Sequence, residues 1–431
     1  MRPFTFMIPF WGPTYREYFV DLCLPSLLAP GNFPLLRAGD GHRILIATTK
    51  GDWAAIEHLP IIETMRRHVS PVILEIDPPV PTPPGSFDAI MQQNYCQKLL
   101  VEAAYDARAY ACMLWPDILL SDGLVAALQR WISEGYELVL FASLRHTQEE
   151  VLAELRARGI LSIDTKHSTT SRALTIKPRV LTDISVRHLH PEVSVYEISD
   201  YRLPIYPPFF FSKIPGDRGI IIHTFNGQPI LMNFAAIERH DVECLNHDIF
   251  EHVYIDRNFS SCKVHFVRDS DEFGVLSLTP ATVGVLPDPK IARRGLLRER
   301  LALLCRLRAA AIVQTSHNRH RIRRELFRVP IRWHVGDIDD VWEEREKAFD
   351  VLIERTVGDF YENDGRTSKG ASLSFNPWRF PGDIFYRWYW IMPYLRVMAD
   401  ALKGDSAALR KVYRGIVRRL GVRTSLRGKP S

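Results

Sequence analysis

The chain has 431 residues, 46% hydrophobic and 24% charged, which is ordinary globular composition and excludes a fibrous or wholly disordered chain. At roughly 100–200 residues per domain, this length predicts two domains, or one large α/β domain with an appendage. The net charge of +5 is unevenly placed: residues 291–431 hold 29 Lys/Arg against 16 Asp/Glu, a net of +13, which leaves −8 for residues 1–290. An acidic body joined to a basic tail points to an acidic partner surface.

Every apolar run is broken by charge before the ~18–20 residues that a spanning helix needs. The opening MRPFTFMIPFWGPTYREYF has a short apolar run and no small-residue cleavage site, so it reads as a first strand and not a signal peptide. Cys23, Cys96, Cys112, Cys244, Cys262 and Cys305 form no CxxC pair, which fits reduced thiols in a cytosol better than a disulfide scaffold or a cysteine zinc site.

In chain order, Pro3–Pro9 is an apolar strand, and Tyr15–Leu28 has helical apolar spacing. Arg43–Thr48 (RILIAT) is a second strand, followed by a helix through Arg67 with Asp52 as its N-cap. Val72–Ile76 is a third strand. The Pro-rich segment Asp77–Gly85 cannot be regular structure. Phe87–Arg108 reads as a long amphipathic helix, Ala109–Leu114 as strand four, Leu124–Ser133 as a helix and Leu138–Leu144 as strand five. Strands alternating with helices predict βαβ units, hence an α/β fold with a mostly parallel central sheet flanked by helices. Ala173–Lys177, Gly219–Thr224, Val264–Val267 and Val275–Leu278 read as the rest of that sheet and an acceptor-side subregion.

Pro287–Pro289 marks a boundary, giving a body at 1–286 and a basic α-helical C-terminal region at 287–431. Helices are expected from Ile291, over Val341–Val357, Gly382–Leu402 and Ser406–Leu420. Arg410–Ser431 has eight basic and no acidic residues, and its last ten are expected to fray.

Ligand sites in open α/β sheets lie at the carboxyl ends of strands. The stretch Gln93-Asn94-Tyr95-Cys96-Gln97-Lys98, continuing to Leu114-Trp115-Pro116-Asp117-Ile118-Leu119, places an acid where a buried strand leaves the sheet. This helix–strand–acid element resembles the GT-A glycosyltransferases, Rossmann-like enzymes that use nucleotide-sugar donors. In that family a DxD motif holds Mn²⁺ or Mg²⁺ against the donor diphosphate. Here Asp117 stands at the second acid, and Trp115 stands where the family has the first. That leaves three alternatives: one carboxylate suffices with help from elsewhere, binding is metal-independent, or the site is degenerate.

The resemblance implies donor-binding roles for Pro9, Phe10, Trp11, Thr48, Asp77, Asn94, Lys98 and Trp115. It implies a metal-ligand role for Asp117 together with His223, in a segment similar to the His-X-X-Gly motif of retaining members. For an inverting reaction the base candidates are Asp241, Asp248 and Asp256, and Asp256 is taken with Asp117 as the catalytic pair.

Two further clusters draw notice. His188, His190 and Glu192 are two apart, as in an extended segment presenting one face. Asp269-Ser270-Asp271-Glu272 is an acid cluster in a turn, for which a solvated loop is the simpler reading. There is no Gly-rich dinucleotide fingerprint, P-loop, G-x-S-x-G elbow or H-E-x-x-H.

The expected function is transfer of a sugar from a nucleotide-diphosphate donor to a cell-envelope glycan or lipid acceptor. The expected location is the cytoplasm, on the inner face of the membrane, with the basic tail docking on the anionic surface; nucleic acid is not the expected partner. The alternative is a degenerate transferase scaffold that binds membrane or nucleic acid through that tail.

Overall fold

The computed structural model describes residues 2–354, apart from residue 38, segments 80–86, 163–166, 199–202, 204–206, 247–249, 284–302, 308–309 and 312–320, and residue 305. The expected boundary at Pro287–Pro289, the helices over 382–402 and 406–420, and Asp248 lie outside these residues.

Thirteen strands occur among the described residues: β1 (Phe4–Pro9), β2 (Arg43–Thr48), β3 (Ser70–Glu75), β4 (Tyr110–Met113), β5 (Ile118–Leu120), β6 (Leu138–Phe141), β7 (Arg145–Thr147), β8 (Phe209–Ile214), β9 (Gly219–Thr224), β10 (Gln228–Asn233), β11 (Val264–Phe266), β12 (Val275–Thr279) and β13 (Ile331–His334). Seven form the central sheet in the order β11-β6-β10-β4-β1-β2-β3. All its pairings are parallel except those of β10, which runs antiparallel to β4 and β6. The protein is therefore a mixed α/β fold with a largely parallel sheet flanked by helices.

Residue alternation divides this sheet between two cores. Phe4, Phe6, Ile8, Ile44, Ile46 and Cys112 belong to one face, closed by Phe19, Leu24, Ile62, Leu128 and Trp131. Met7, Leu45, Ala47, Ala111 and Met113 belong to the other, closed by Cys96, Leu100, Val101 and Ala104 of the helix Phe87–Asp106. Strands covered on both sides need continuous apolar runs, which is why RILIAT and FTFMIP stand out in the sequence.

Two smaller sheets complete the molecule, β5-β12-β7 and β13-β9-β8. They correct the expectation that Gly219–Thr224 and Val275–Leu278 extend the central sheet. Ala173–Lys177 joins no ladder either; Leu174 N–H bonds to Pro25 O and Ile176 O accepts from Asp122 N–H. Downstream of residue 287 the chain contributes a strand as well as helices: β13 pairs antiparallel with β9, and the helices Arg321–Arg328 and Asp340–Ile353 enclose that sheet through Phe327, Trp342 and Phe349.

Local capping also differs from expectation. Thr49, not Asp52, is the N-cap of the helix Lys50–Ala54, its hydroxyl accepting from Asp52 N–H. Among the described residues no helix is long and apolar enough to cross a membrane.

Candidate functional site

In the central sheet β2 and β3 extend to one side of β1 while β4 lies on its other side. The connections thus reverse direction between β1 and β4, and such a switch point opens a crevice at the strands' carboxyl ends. Two segments leave the sheet there, Phe10-Trp11-Gly12 after β1 and Leu114-Trp115-Pro116-Asp117 after β4, and Trp11 and Trp115 pack against the same core.

Asp117 leads directly into β5, and β5 hands it to the second sheet. In that sheet Ser277 of β12 is paired on one side with Ile118 and on the other with Arg145 of β7. The Asp117 carbonyl accepts from Leu278 N–H at 2.9 Å, and its carboxylate is hydrogen-bonded by the Ser277 side chain. Burial pushes the Asp117 carboxyl up to about 6, against the lowering effects of its own backbone N–H, the Arg145 charge and Ser277.

Tyr15 and Tyr18, on the helix Gly12–Tyr18 that follows β1, face the same carboxylate. Both phenols are raised, by burial first and by the Asp117 charge second, Tyr18 to about 12. Tyr18 donates to Gln148, while the Tyr15 side chain is 42% exposed. Arg145 is exposed and pairs with Glu192 at 3.0 Å. A carboxyl group poised near neutrality, a hydroxyl, an accessible cation and an open aromatic ring thus share one corner. These groups can exchange a proton with a hydroxyl, hold an anionic group and stack a ring.

Of the other residues singled out in the sequence, some lie at this crevice and others do not. Pro9 ends β1, Phe10 is buried and stacked on Phe19, and Trp11 packs part-exposed against the second core. Trp115 touches both cores at the sheet edge. Thr48 is buried, and its hydroxyl lacks a hydrogen-bond partner among the described residues. Asp77 is exposed in the loop after β3.

Asn94 and Lys98 point instead at the segment Glu243–Asn246. Asn94 donates to Leu245 O at 3.1 Å, and Lys98 pairs with Glu243 at 3.3 Å. Asp256 is buried and accepts from Ile322 N–H at 3.0 Å, at the start of the helix Arg321–Arg328. Asp241 pairs with Arg257 at 2.8 Å.

His223 belongs to β9, in the third sheet, and is not brought together with Asp117. Its Nδ1 bonds to Phe327 O at 2.9 Å, its ring stacks on Phe210, and Phe327 and Phe349 meet it edge-on. Burial lowers it to about 4. A joint metal centre of Asp117 and His223 is therefore not what the fold builds: one is at the carboxyl edge of β4 and the other inside an aromatic core.

The His188, His190 and Glu192 triplet is also dispersed. His188 turns to Glu150 and Glu154, His190 caps Pro191–Ser194, and Glu192 meets Arg145.

Asp117 is the one group of this corner that sequence reasoning reached. Arg145 and Ser277 were missed, because only strand pairing brings them to it. The donor set does not fit a dedicated Mn²⁺ or Mg²⁺ centre. Hard cations draw on several oxygen ligands, whereas Trp115 offers none and Asp117 already answers to Ser277 and the Arg145 charge.

No protein-family profile and no curated protein sequence matches the chain. Among solved structures, one similar chain is a protein assigned as a glucose-1-phosphate thymidylyltransferase from Bacillus anthracis, in complex with a sucrose. It shares 12% identity at a TM-score of 0.22, over 34% of this chain and 57% of that one. This chain thus spans just over half of that neighbour's length, and a likeness of this size carries no argument about fold or function.

Proposed function

We propose that the chain is a glycosyltransferase of GT-A type, moving a sugar from a nucleotide-diphosphate donor to a glycan or lipid acceptor. The observation that carries this reading is Asp117 at the switch point between β1 and β4, tuned to about 6 and flanked by Ser277, Arg145 and Tyr15. Arg145 supplies charge for the donor phosphates, where a guanidinium matches phosphate geometry. Tyr15 offers a ring face to a base or sugar. Asp117 accepts a proton from a hydroxyl, for which a carboxyl group near 6 suits neutral pH.

Residues 1–286 form the proposed catalytic body. Residues 287–431 form the basic region, proposed to dock on an anionic membrane face; within it, β13 pairs with β9 in the third sheet. The acceptor class rests on that charge split alone.

The test is a thermal-shift panel of UDP-, GDP- and dTDP-sugars, each with and without Mn²⁺. At least one donor should raise Tm, and Asp117→Ala should remove that response. A panel with no shift under any condition sinks the reading. The presence of Trp115 in place of an acid favours a second reading, a scaffold that binds membrane through its basic region without transfer. Vesicle binding that survives Asp117→Ala, together with a silent donor panel, would establish that one.

A further inference from the structure

The turn after β11 meets the end of β13 far along the chain. There Asp269, Asp271 and His334 each offer one ligand atom, all within 4.8 Å of one another. We propose that these three side chains bind a divalent transition-metal ion, Zn²⁺ by preference, which fastens the turn 267–272 to β13. The proposal is independent of the transferase reading.

The imidazole is aimed for this role. His334 is buried, and its Nδ1 lies 2.6 Å from Gly336 O, which can only accept, so Nδ1 carries a hydrogen. Nε2 faces the carboxylates, 3.9 Å from Asp271 Oδ2 and 2.7 Å from Asp269 Oδ1, to which it donates a second ring hydrogen that the ion would displace. Those separations bracket the roughly 3.3 Å expected between ligand atoms each about 2 Å from a tetrahedral ion. A backbone carbonyl that orients the far ring nitrogen is the usual support of a metal-ligating histidine. One imidazole with two carboxylates suits Zn²⁺ or Mn²⁺ better than Ca²⁺ or Mg²⁺, which prefer oxygen throughout.

The backbone beneath the cluster is fixed from both strands. Ser270 N–H donates to Arg332 O at 2.9 Å, Arg332 N–H donates to Arg268 O at 2.7 Å, and His334 N–H donates to Ser270 Oγ at 3.1 Å. A separate feature adjoins it: a cavity of about 10 Å³ lined by Asp269, Ser270, Gly274 and Trp333, among others. That is about the size of one water molecule, and of the three side chains only Asp269 lines it.

One group competes. Arg179, on the helix Pro178–Arg187, forks onto both oxygens of Asp271 at 2.8 to 3.2 Å and reaches Asp337 at 3.4 Å. The ion would take over Asp271 and leave Arg179 to Asp337. Arg332, next to the cluster, is already held by Glu346. Removing Arg179 should therefore strengthen metal binding, whereas in a mere ion-pair network it would only weaken the fold.

The test is calorimetric titration of the full chain, stripped of metal by chelator and dialysed, with zinc chloride and then manganese chloride, alongside thermal melts. The expected result is one Zn²⁺ per chain with a rise in Tm. His334→Gln and Asp271→Asn should each weaken binding about tenfold or more, and Arg179→Gln should tighten it. Asp271 and Arg179 are exposed, so their variants keep the test valid should His334→Gln fail to fold. No zinc or manganese uptake overturns the proposal. So does uptake that Asp271→Asn and Arg179→Gln both leave unchanged, since the ion would then be elsewhere.

Discussion

Asp117 and His223 are both driven toward their neutral forms by burial, yet their surroundings differ in kind. Asp117 keeps a hydroxyl, a guanidinium charge and two tyrosines about it, one of them exposed. Among the described residues His223 has one backbone carbonyl and three phenylalanines about it, and its Nε2 has no hydrogen-bond partner. A perturbed pKa is therefore a pointer to function only when the group also reaches a crevice and other polar groups. The corner around Asp117 is the proposed ligand site. The core around His223 is built for packing, and it tolerates one polar ring.

The sharpest way to break that contrast is to disturb each side separately. Gly219, at the start of β9, has φ +142°, and a Cβ there would sit 2.1 Å from Trp333 O and 2.8 Å from the Trp342 ring. Gly219→Ala should cost about 3–5 kcal/mol, through strain and overpacking combined. Chemical unfolding measures the cost, and a loss under 1 kcal/mol would mean that the third sheet is not as closely packed as its contacts imply.

Asp117→Ala should do the reverse, leaving Tm nearly intact while lowering transfer activity by about 100-fold or more, the usual scale for a positioned acid or base. Turnover of the donor that responds in the thermal panel is the readout. Arg145→Gln should weaken donor binding about tenfold, with a smaller effect of salt on the remaining affinity. Unchanged affinity would remove Arg145 from the phosphate role.

The smallest effect concerns pH and has opposite signs on the two sides. The folded Asp117 carboxyl lies above its ordinary value, so its ionisation costs stability, fully above pH 6 and not at all below about 4. Asp117→Asn should then gain on the wild type as pH rises from 4.5 to 7.5, by about 1–2 kcal/mol, allowing for partial exposure. A gap that does not change with pH would refute the shift.

His146, at about 3, and His223 and His240, at about 4, are held below the ordinary value. Their neutral forms are native-compatible, so stability is full above about 6.5 and falls as pH drops toward 4. Acid unfolding should start there in wild type and Asp117→Asn alike.

The central strands were legible because doubly covered strands need unbroken apolar runs, and Arg43–Thr48 matches to the residue; Gly219–Thr224 also matches in its bounds, but it belongs to the third sheet. The strands that escaped had a specific reason. QPILMN carries Pro229, IRWH mixes charge with aromatics, and FFFSKI is interrupted by Ser212 and Lys213, so no clean period marks them. Asp117 was legible since it follows a helix and a buried strand in order. Its partners were not, for Ser277 and Arg145 come to it by lateral pairing across β12. The acid pair Asp269 and Asp271 looked like a solvated turn because His334, which faces it, lies more than sixty residues on.

The residue order by itself determined the strand–helix alternation, the two-faced apolar sheet and an acid at a strand end, because these follow from local periodicity and burial. Tertiary structure alone decided which polar groups share a corner. Strand order and register set those distances, and no local pattern encodes them. That is why Asp117 came to lie beside Ser277 and Arg145, while His223 went into an aromatic core and His334 to two aspartates.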